Sequence, residues 1–111
     1  ITLTGDTHIA ELKDGNIRTF TLSPKTYGFE LLEDEDALRG GNDVANAQAL
    51  QAVLKGEEGP YRDTVLLNAA AALLIAGAVT QYKDGLAMAR EAIDSSKATQ
   101  TLETLVAVTN R

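Results

Sequence analysis

The chain has no cysteine and no tryptophan, a single histidine and two prolines, and only 5% of its residues are aromatic. Without cysteine there can be no disulfide framework, no thiolate metal site and no thiol nucleophile. With so few aromatics, a composition that is 44% hydrophobic must build its core from Ala, Leu, Val and Ile. Small side chains bury less area each and need closely approaching helices, so modest stability per residue is expected. Positive charge is also scarce. Ten basic residues against 16 acidic ones leave a net charge of −6, which disfavours nucleic acid and anionic membrane as partners. Ile1-Thr2-Leu3-Thr4-Gly5 lacks the charged and apolar regions of a signal peptide. The longest apolar run, Val65 to Val79, is interrupted by Asn68 and falls short of the roughly 18 residues a membrane span needs. The expectation is a soluble, cytoplasmic protein with no membrane partner. At 111 residues it suits one small domain or part of a larger one. A start at Ile1 without an initiator Met reads as a fragment or a processed product.

What is present centres on Gly59 to Gly77. Pro60 suits a first helical turn, where its missing N–H costs nothing. Asp63 complements the helix dipole there, and Gly77 is the residue type that most readily takes a left-handed C-terminal cap. Between Val65 and Ala76 the only polar side chain is Asn68. The pattern predicts a helix over residues 60–76 wrapped on every side, with Asn68 buried and tying two segments together by hydrogen bonds.

The other elements follow from turn and cap chemistry. Asp14-Gly15 between Thr7-His8-Ile9-Ala10-Glu11-Leu12 and Ile17-Arg18-Thr19-Phe20-Thr21-Leu22 predicts an antiparallel hairpin over residues 6–22, closed by a type I′ turn and packed on at least one face. Ser23-Pro24 reads as a cap and first position of a turn or short helix that Gly28 limits. The acidic run Glu33-Asp34-Glu35-Asp36 is read as a solvated loop, since it lacks the spacing of a calcium loop. Asn42 or Asp43 caps a helix over 43–55, with Val44, Ala47, Leu50, Val53 and Leu54 facing inward and Lys55-Gly56 ending it. Helices follow over 82–94, with Tyr82, Leu86, Ala89 and Ile93 inward, and over 97–109, capped by Asp94-Ser95-Ser96, with Ala98, Leu102, Leu105 and Val106 inward.

No residue of the chain forms a recognisable active site: no catalytic, substrate-binding or metal-binding residue is assigned. His8 lies in a strand with no Ser/Asp partner in a motif. Gly40-Gly41-Asn42-Asp43 opens a helix but follows an acidic loop where a phosphate-binding loop would follow a strand.

Six stretches in order nevertheless carry a resemblance. They are Thr7 to Ile17; Leu22-Ser23-Pro24 with Tyr27-Gly28-Phe29; Leu38-Arg39-Gly40-Gly41-Asn42-Asp43-Val44-Ala45-Asn46-Ala47; Val53-Leu54-Lys55-Gly56; Leu66-Leu67-Asn68-Ala69-Ala70-Ala71-Ala72-Leu73; and Ala92-Ile93-Asp94-Ser95-Ser96-Lys97-Ala98. Together they resemble the C-terminal third of the anthranilate phosphoribosyltransferases over almost the whole chain. Ala45 stands where an acidic residue is common in that family, and Ser96 where Gly is usual.

The resemblance implies an enzyme, a glycosyltransferase of tryptophan biosynthesis. It would move a phosphoribosyl group from phosphoribosyl diphosphate to anthranilate with Mg²⁺, in a homodimer. The fold class implied is α/β: a β-hairpin and four helices forming the C-terminal portion, residues 1–111, of the large domain of a nucleoside phosphorylase/phosphoribosyltransferase-like fold. The family's diphosphate loop, anthranilate contacts and acidic metal pair would lie N-terminal to the matched region, so the chain alone is expected to be inert, to bind no metal and to have the missing N-terminal part as its partner. Two alternatives stand beside this reading. One is a non-catalytic relative of the same fold that binds nucleic acid, and the other an autonomous helical interaction module. The module predicts a closed core and a uniformly polar surface, whereas an incomplete domain leaves an unpaired hairpin edge and an apolar patch.

Overall fold

A computed structural model describes residues 1–111. Strands β1 (Thr7–Lys13) and β2 (Asn16–Leu22) form a two-stranded antiparallel sheet. Asp14 (φ 52°) and Gly15 (φ 78°) supply the two positive φ angles that a type I′ turn requires. Two single-turn 3₁₀ segments follow, Pro24–Tyr27 and Glu35–Leu38. Four helices complete the chain: α1 (Asp43–Leu54), α2 (Pro60–Ile75), α3 (Tyr82–Asp94) and α4 (Lys97–Thr109).

The punctuation works as the residue types dictate. The Asn42 side chain accepts from the Ala45 N–H at 2.9 Å and starts α1. Helix α2 closes in a Schellman motif: Gly77, at φ 76°, donates to the Leu74 carbonyl, and Ala78 donates to that of Leu73. Two caps differ from expectation. Ser23 makes no side-chain cap bond. Ser96 precedes α4 but lies in the left-handed region at φ 66°, and there its hydroxyl caps nothing. The acidic run is exposed as expected, yet it is not a plain loop: Asp34 accepts from the Asp36 N–H and starts the second 3₁₀ turn.

The core lies between α2 and α3. Leu66, Leu67 and Ala70 meet Leu86, Ala89 and Ile93, with Val53, Phe29 and Leu3 closing the cluster. The backbones approach closely at Gly85, where a Cβ would stand 2.9 Å from the Ala70 carbonyl oxygen. Leu3, at 1% exposure, is among the most buried side chains, although the first six residues carry no periodic signal. Its carbonyl accepts from the Leu32 N–H at 3.0 Å, which knits the N-terminal segment to the loop before α1.

Several expected faces are open. Helix α2 is not wrapped on every side: Val65, Ala72 and Ala76 are exposed, and Ile75 is 85% exposed. Val44, Ala47 and Leu50 of α1 face solvent, leaving Val53 buried and Leu54 half-buried. On α4 only Ala98, Thr99 and Leu102 are half-covered, while Leu105 and Val106 are exposed. The α3 stripe alone is covered along its length, with Tyr82 half-buried and Leu86, Ala89 and Ile93 buried. Periodicity locates an apolar face, but a face is buried only where the chain supplies a layer to meet it. The hairpin shows the same economy. Ile9 and Phe20, paired across the strands, are half-covered on one side, while Leu12 and Ile17 near the tip are 72% and 73% exposed.

Candidate functional site

The side chains with chemical potential are dispersed and mutually engaged. On the exposed face of the hairpin His8 pairs with Thr21, and its Nδ1 lies 3.2 Å from the Thr21 hydroxyl. No acid or serine completes a catalytic arrangement. At Gly40-Gly41 the Gly41 N–H is not free to cradle an anion. The Gly41 N–H donates to Asn46 Oδ1 at 2.8 Å, and Asn46 Nδ2 donates back to the Gly41 carbonyl at 3.0 Å. A Cβ on Gly40 would lie 2.9 Å from Asn46 Oδ1, so the tight loop is built around Asn46. No group of three His, Asp or Glu side chains is placed to hold a metal ion. In the acidic run Asp34 is used as a cap and Asp36 pairs with Arg39 at 2.7 Å.

Asn68 does tie two segments together, but on the solvent side of α2. Its Oδ1 accepts from the Ile1 nitrogen at 3.0 Å, while its Nδ2 donates to the Ile1 carbonyl and to the Thr64 carbonyl, both at 2.9 Å. The expected tie is there; the expected burial is not. Both hydrogen-bonding ends of the amide grip one residue, so the N-terminal segment is held in register against α2.

Two further fasteners left no mark in the sequence pattern. Arg62, buried at the start of α2, donates from Nη1 and Nη2 to the two carboxylate oxygens of Asp94 at 2.9 and 3.1 Å, a bidentate pair that ties the end of α3 to the start of α2. Those hydrogen bonds, with the attraction of the charge, hold the Asp94 carboxyl below its ordinary range and raise Arg62, against the desolvation that both incur. Tyr82 donates to the Leu67 carbonyl at 2.6 Å and stacks edge-on against Tyr27 at 4.7 Å. Burial, with a smaller contribution from Tyr27, pushes its phenol up to about 12. Asp63 is raised mainly by burial, opposed by Arg62 and Arg90. Of the four shifted groups only Asp63 moves toward neutral pH, and none has a nucleophile or metal cluster beside it. The Arg62, Asp94 and Tyr82 shifts belong to structural ties, and that of Asp63 to burial.

The largest concavity is apolar. A groove of about 610 Å³ runs between the hairpin and α2, lined by Ile9, Phe20 and Leu22 on one wall and by Ala71, Leu74 and Ile75 on the other, with Tyr82 at its end. Its only charged lining residues, Glu11 and Arg18, pair with each other at 3.2 Å across the strands. It offers apolar contact and no reactive group. The signal that could have disclosed it is a second apolar stripe on α2, hidden because Val65 to Ala76 reads as apolar all round.

Comparison with known proteins agrees with this architecture. A family model described as "Glycosyl transferase family, a/b domain" matches residues 1–99. The chain is 51% identical over 110 residues to an anthranilate phosphoribosyltransferase of Mesorhizobium japonicum, covering 99% of this chain and 32% of that protein. It is 46% identical over 111 residues to one of Paramagnetospirillum magneticum, covering 100% of this chain and again 32% of the relative. The chain thus spans about a third of the length of the curated relatives it matches. The crystal structure of anthranilate phosphoribosyltransferase from Thermus thermophilus superposes with a TM-score of 0.85 at 35% identity, over 96% of this chain and 31% of that one.

Proposed function

The chain belongs to the glycosyl transferase family, matching the model of its α/β domain, and from that premise we propose that it is the C-terminal third of an anthranilate phosphoribosyltransferase. The whole protein would transfer the phosphoribosyl group of phosphoribosyl diphosphate to anthranilate, in tryptophan biosynthesis, as a cytoplasmic homodimer. One observation carries the reading: 51% identity with a protein of that name runs over 99% of the chain.

Within that protein the chain's task is support. Transfer of this kind needs the diphosphate oxygens held by backbone N–H groups and neutralised by a cation. The Gly41 N–H is spent on Asn46, no three His, Asp or Glu side chains are grouped to hold a metal ion, and Asp34 and Asp36 of the acidic run are engaged in a cap and an ion pair. Magnesium in the whole enzyme would be held by residues outside this chain. What the chain supplies is a rigid α2–α3 layer, locked by Arg62–Asp94 and Tyr82–Leu67, with Asn68 fixing the N-terminal segment at Ile1.

The open surface favours this reading over an autonomous module. The sheet has only two strands, so both outer edges lack a partner, and Leu12, Ile17 and Ile75 stand in solvent. The net charge of −6 weighs against the nucleic-acid-binding relative. The test is an assay with phosphoribosyl diphosphate, anthranilate and Mg²⁺, following the loss of anthranilate fluorescence. The full-length polypeptide should turn over substrate and the 111-residue chain should not. Product formed by the chain alone would remove the supporting role, and an inactive full-length protein would remove the reaction.

A further inference from the structure

The tripeptide Lys-Asp-Gly occurs twice in the chain, as Lys13-Asp14-Gly15 and as Lys83-Asp84-Gly85, and glycine follows no other aspartate. An aspartyl carboxyl carbon is open to attack by the backbone nitrogen of the next residue, and glycine, with no Cβ, crowds that attack least. Identical residues leave the fold to decide between the two places. At the hairpin tip Asp14 and Gly15 are both exposed, and nothing beyond their neighbours comes within 4 Å of a Cβ placed on Gly15. The ladder closes with Lys13 opposite Asn16, so the peptide between Asp14 and Gly15 lies outside it and can turn. The Asp14 carboxylate is left without an ion pair or a hydrogen bond; only its main-chain carbonyl is approached, by Asn16 Nδ2 at 3.5 Å. Asp14 also holds φ 52°, a conformation that costs an L-residue, and turning out of it releases that strain. With Leu12 and Ile17 standing in solvent, opening the tip disturbs no core. In α3 the same residues are locked. The Asp84 and Gly85 N–H groups both donate to the Gln81 carbonyl at 3.2 Å. Gly85 is buried, and the Ala70 carbonyl oxygen stands 2.9 Å from its Cβ position. Rotating that peptide would break the first turn of α3 and open the layer against α2.

We propose that Asp14-Gly15 is a site of spontaneous rearrangement to isoaspartate, and that the fold protects Asp84-Gly85 from the same reaction. The Gly15 nitrogen bonds to the side-chain carboxyl carbon of Asp14 as the hydroxyl of that carboxyl departs. The hydroxyl leaves with the amide proton as water, and a cyclic imide remains. Water then adds to the imide at the main-chain carbonyl carbon of Asp14, and the bond from that carbon to the Gly15 nitrogen breaks. The nitrogen stays on the former side-chain carbon, the former main-chain carbonyl becomes a free carboxylate, and the mass is unchanged. No oxidant, metal or enzyme takes part. The main chain gains one methylene between Asp14 and Gly15, so the two-residue turn no longer fits type I′ geometry and the Lys13–Asn16 pair that closes the ladder is lost. The product belongs to the substrate class of carboxyl methyltransferases that recognise isoaspartate. The site stands on the hairpin alone and is independent of the transferase reading.

Ageing of the full-length polypeptide tests the assignment. The protein is held in neutral buffer for several weeks, folded and in guanidinium chloride. Isoaspartate is then located peptide by peptide by electron-transfer mass spectrometry, and an isoaspartyl methyltransferase supplies the total by methyl transfer. In the folded protein isoaspartate at residue 14 should exceed that at residue 84 at least about tenfold, whereas in denaturant the two should agree within about threefold. Equal formation at both positions in the folded protein overturns the proposal. So does formation at residue 14 only in denaturant, or at neither position in either state. A second variant reads the same attack through a different leaving group. Asp14→Asn keeps a residue that type I′ turns favour, and ammonia departs where water did, so the attack appears as conversion of the asparagine to aspartate and isoaspartate. Folded D14N protein should convert at residue 14 while its Asp84 stays intact, and an asparagine that persists there as long as Asn42, which Asp43 follows, overturns the proposal independently.

Discussion

Replacing Gly85 with Ala should destabilise the protein, against the usual sign for such a change in a helix. At an exposed interior helical position Gly→Ala gains up to about 1 kcal/mol through propensity. At Gly85 the added Cβ would stand 2.9 Å from the Ala70 carbonyl oxygen, 3.1 Å from its Cα and 3.2 Å from its Cβ. Two of these are backbone atoms of α2, which no rotamer change can withdraw. The helices must part by some tenths of an ångström along the layer that holds Leu66, Leu67, Leu86, Ala89 and Ile93. Overpacking of this kind costs about 1–3 kcal/mol. Set against the propensity gain, the net loss is about 1 kcal/mol and at most about 2, and each kcal/mol lowers the midpoint by roughly 4–8 °C in a small domain. Urea unfolding followed by circular dichroism would measure it, with an unchanged slope indicating an unchanged unfolded state. Ala87, exposed on the same helix, provides the control: Ala87→Gly should cost about 1 kcal/mol. Both Gly↔Ala exchanges, in opposite directions, are then destabilising. A G85A protein more stable than the parent by about 1 kcal/mol would refute the close α2–α3 approach on which the core is built.

Two further outcomes follow from other parts of the fold. Ser96 holds φ 66° without a cap bond, and a left-handed conformation costs an L-residue roughly 1–2 kcal/mol. Ser96→Gly should therefore raise stability by about 1 kcal/mol after the greater chain entropy of Gly is subtracted, measurable in the same urea titration. Asp94 titrates below its ordinary range in the folded state because of Arg62. Its contribution is present above the unfolded carboxylate pKa of about 4 and is lost as pH falls through the lower folded value. Asp63, raised by burial, works in the opposite direction. The comparison of unfolding midpoints across acid pH between the parent and Asp94→Asn isolates the ion pair: the variant should lose less stability on acidification.

Where the elements begin and end was legible because turns and caps are local. Asp14-Gly15, Asn42, Pro60 and Gly77 each act within a few residues, and each element starts or stops beside them. What the faces meet was not legible in the same way. Val44, Leu50, Leu105 and Val106 are spaced as core residues and stand in solvent, since spacing records a face and not the presence of a partner. Leu3 was invisible for the converse reason: a core residue in an irregular segment has no period to betray it. The Arg62–Asp94 tie joins residues 32 positions apart, and only the crossing of α2 and α3 brings them together. Asn68 shows both sides at once. A lone amide in an apolar run had to find partners, and it did, with Ile1 and Thr64. That the partners would sit on an exposed face was not legible, because an apolar run all round a helix does not say which side is covered.

The supporting role of the chain within a working transferase is tested most directly by one measurement. The full-length polypeptide, supplied with phosphoribosyl diphosphate, anthranilate and Mg²⁺, should consume anthranilate with saturable kinetics, and the 111-residue chain under the same conditions should leave its fluorescence unchanged. Consumption by the chain alone, or none by the full-length protein, would contradict it.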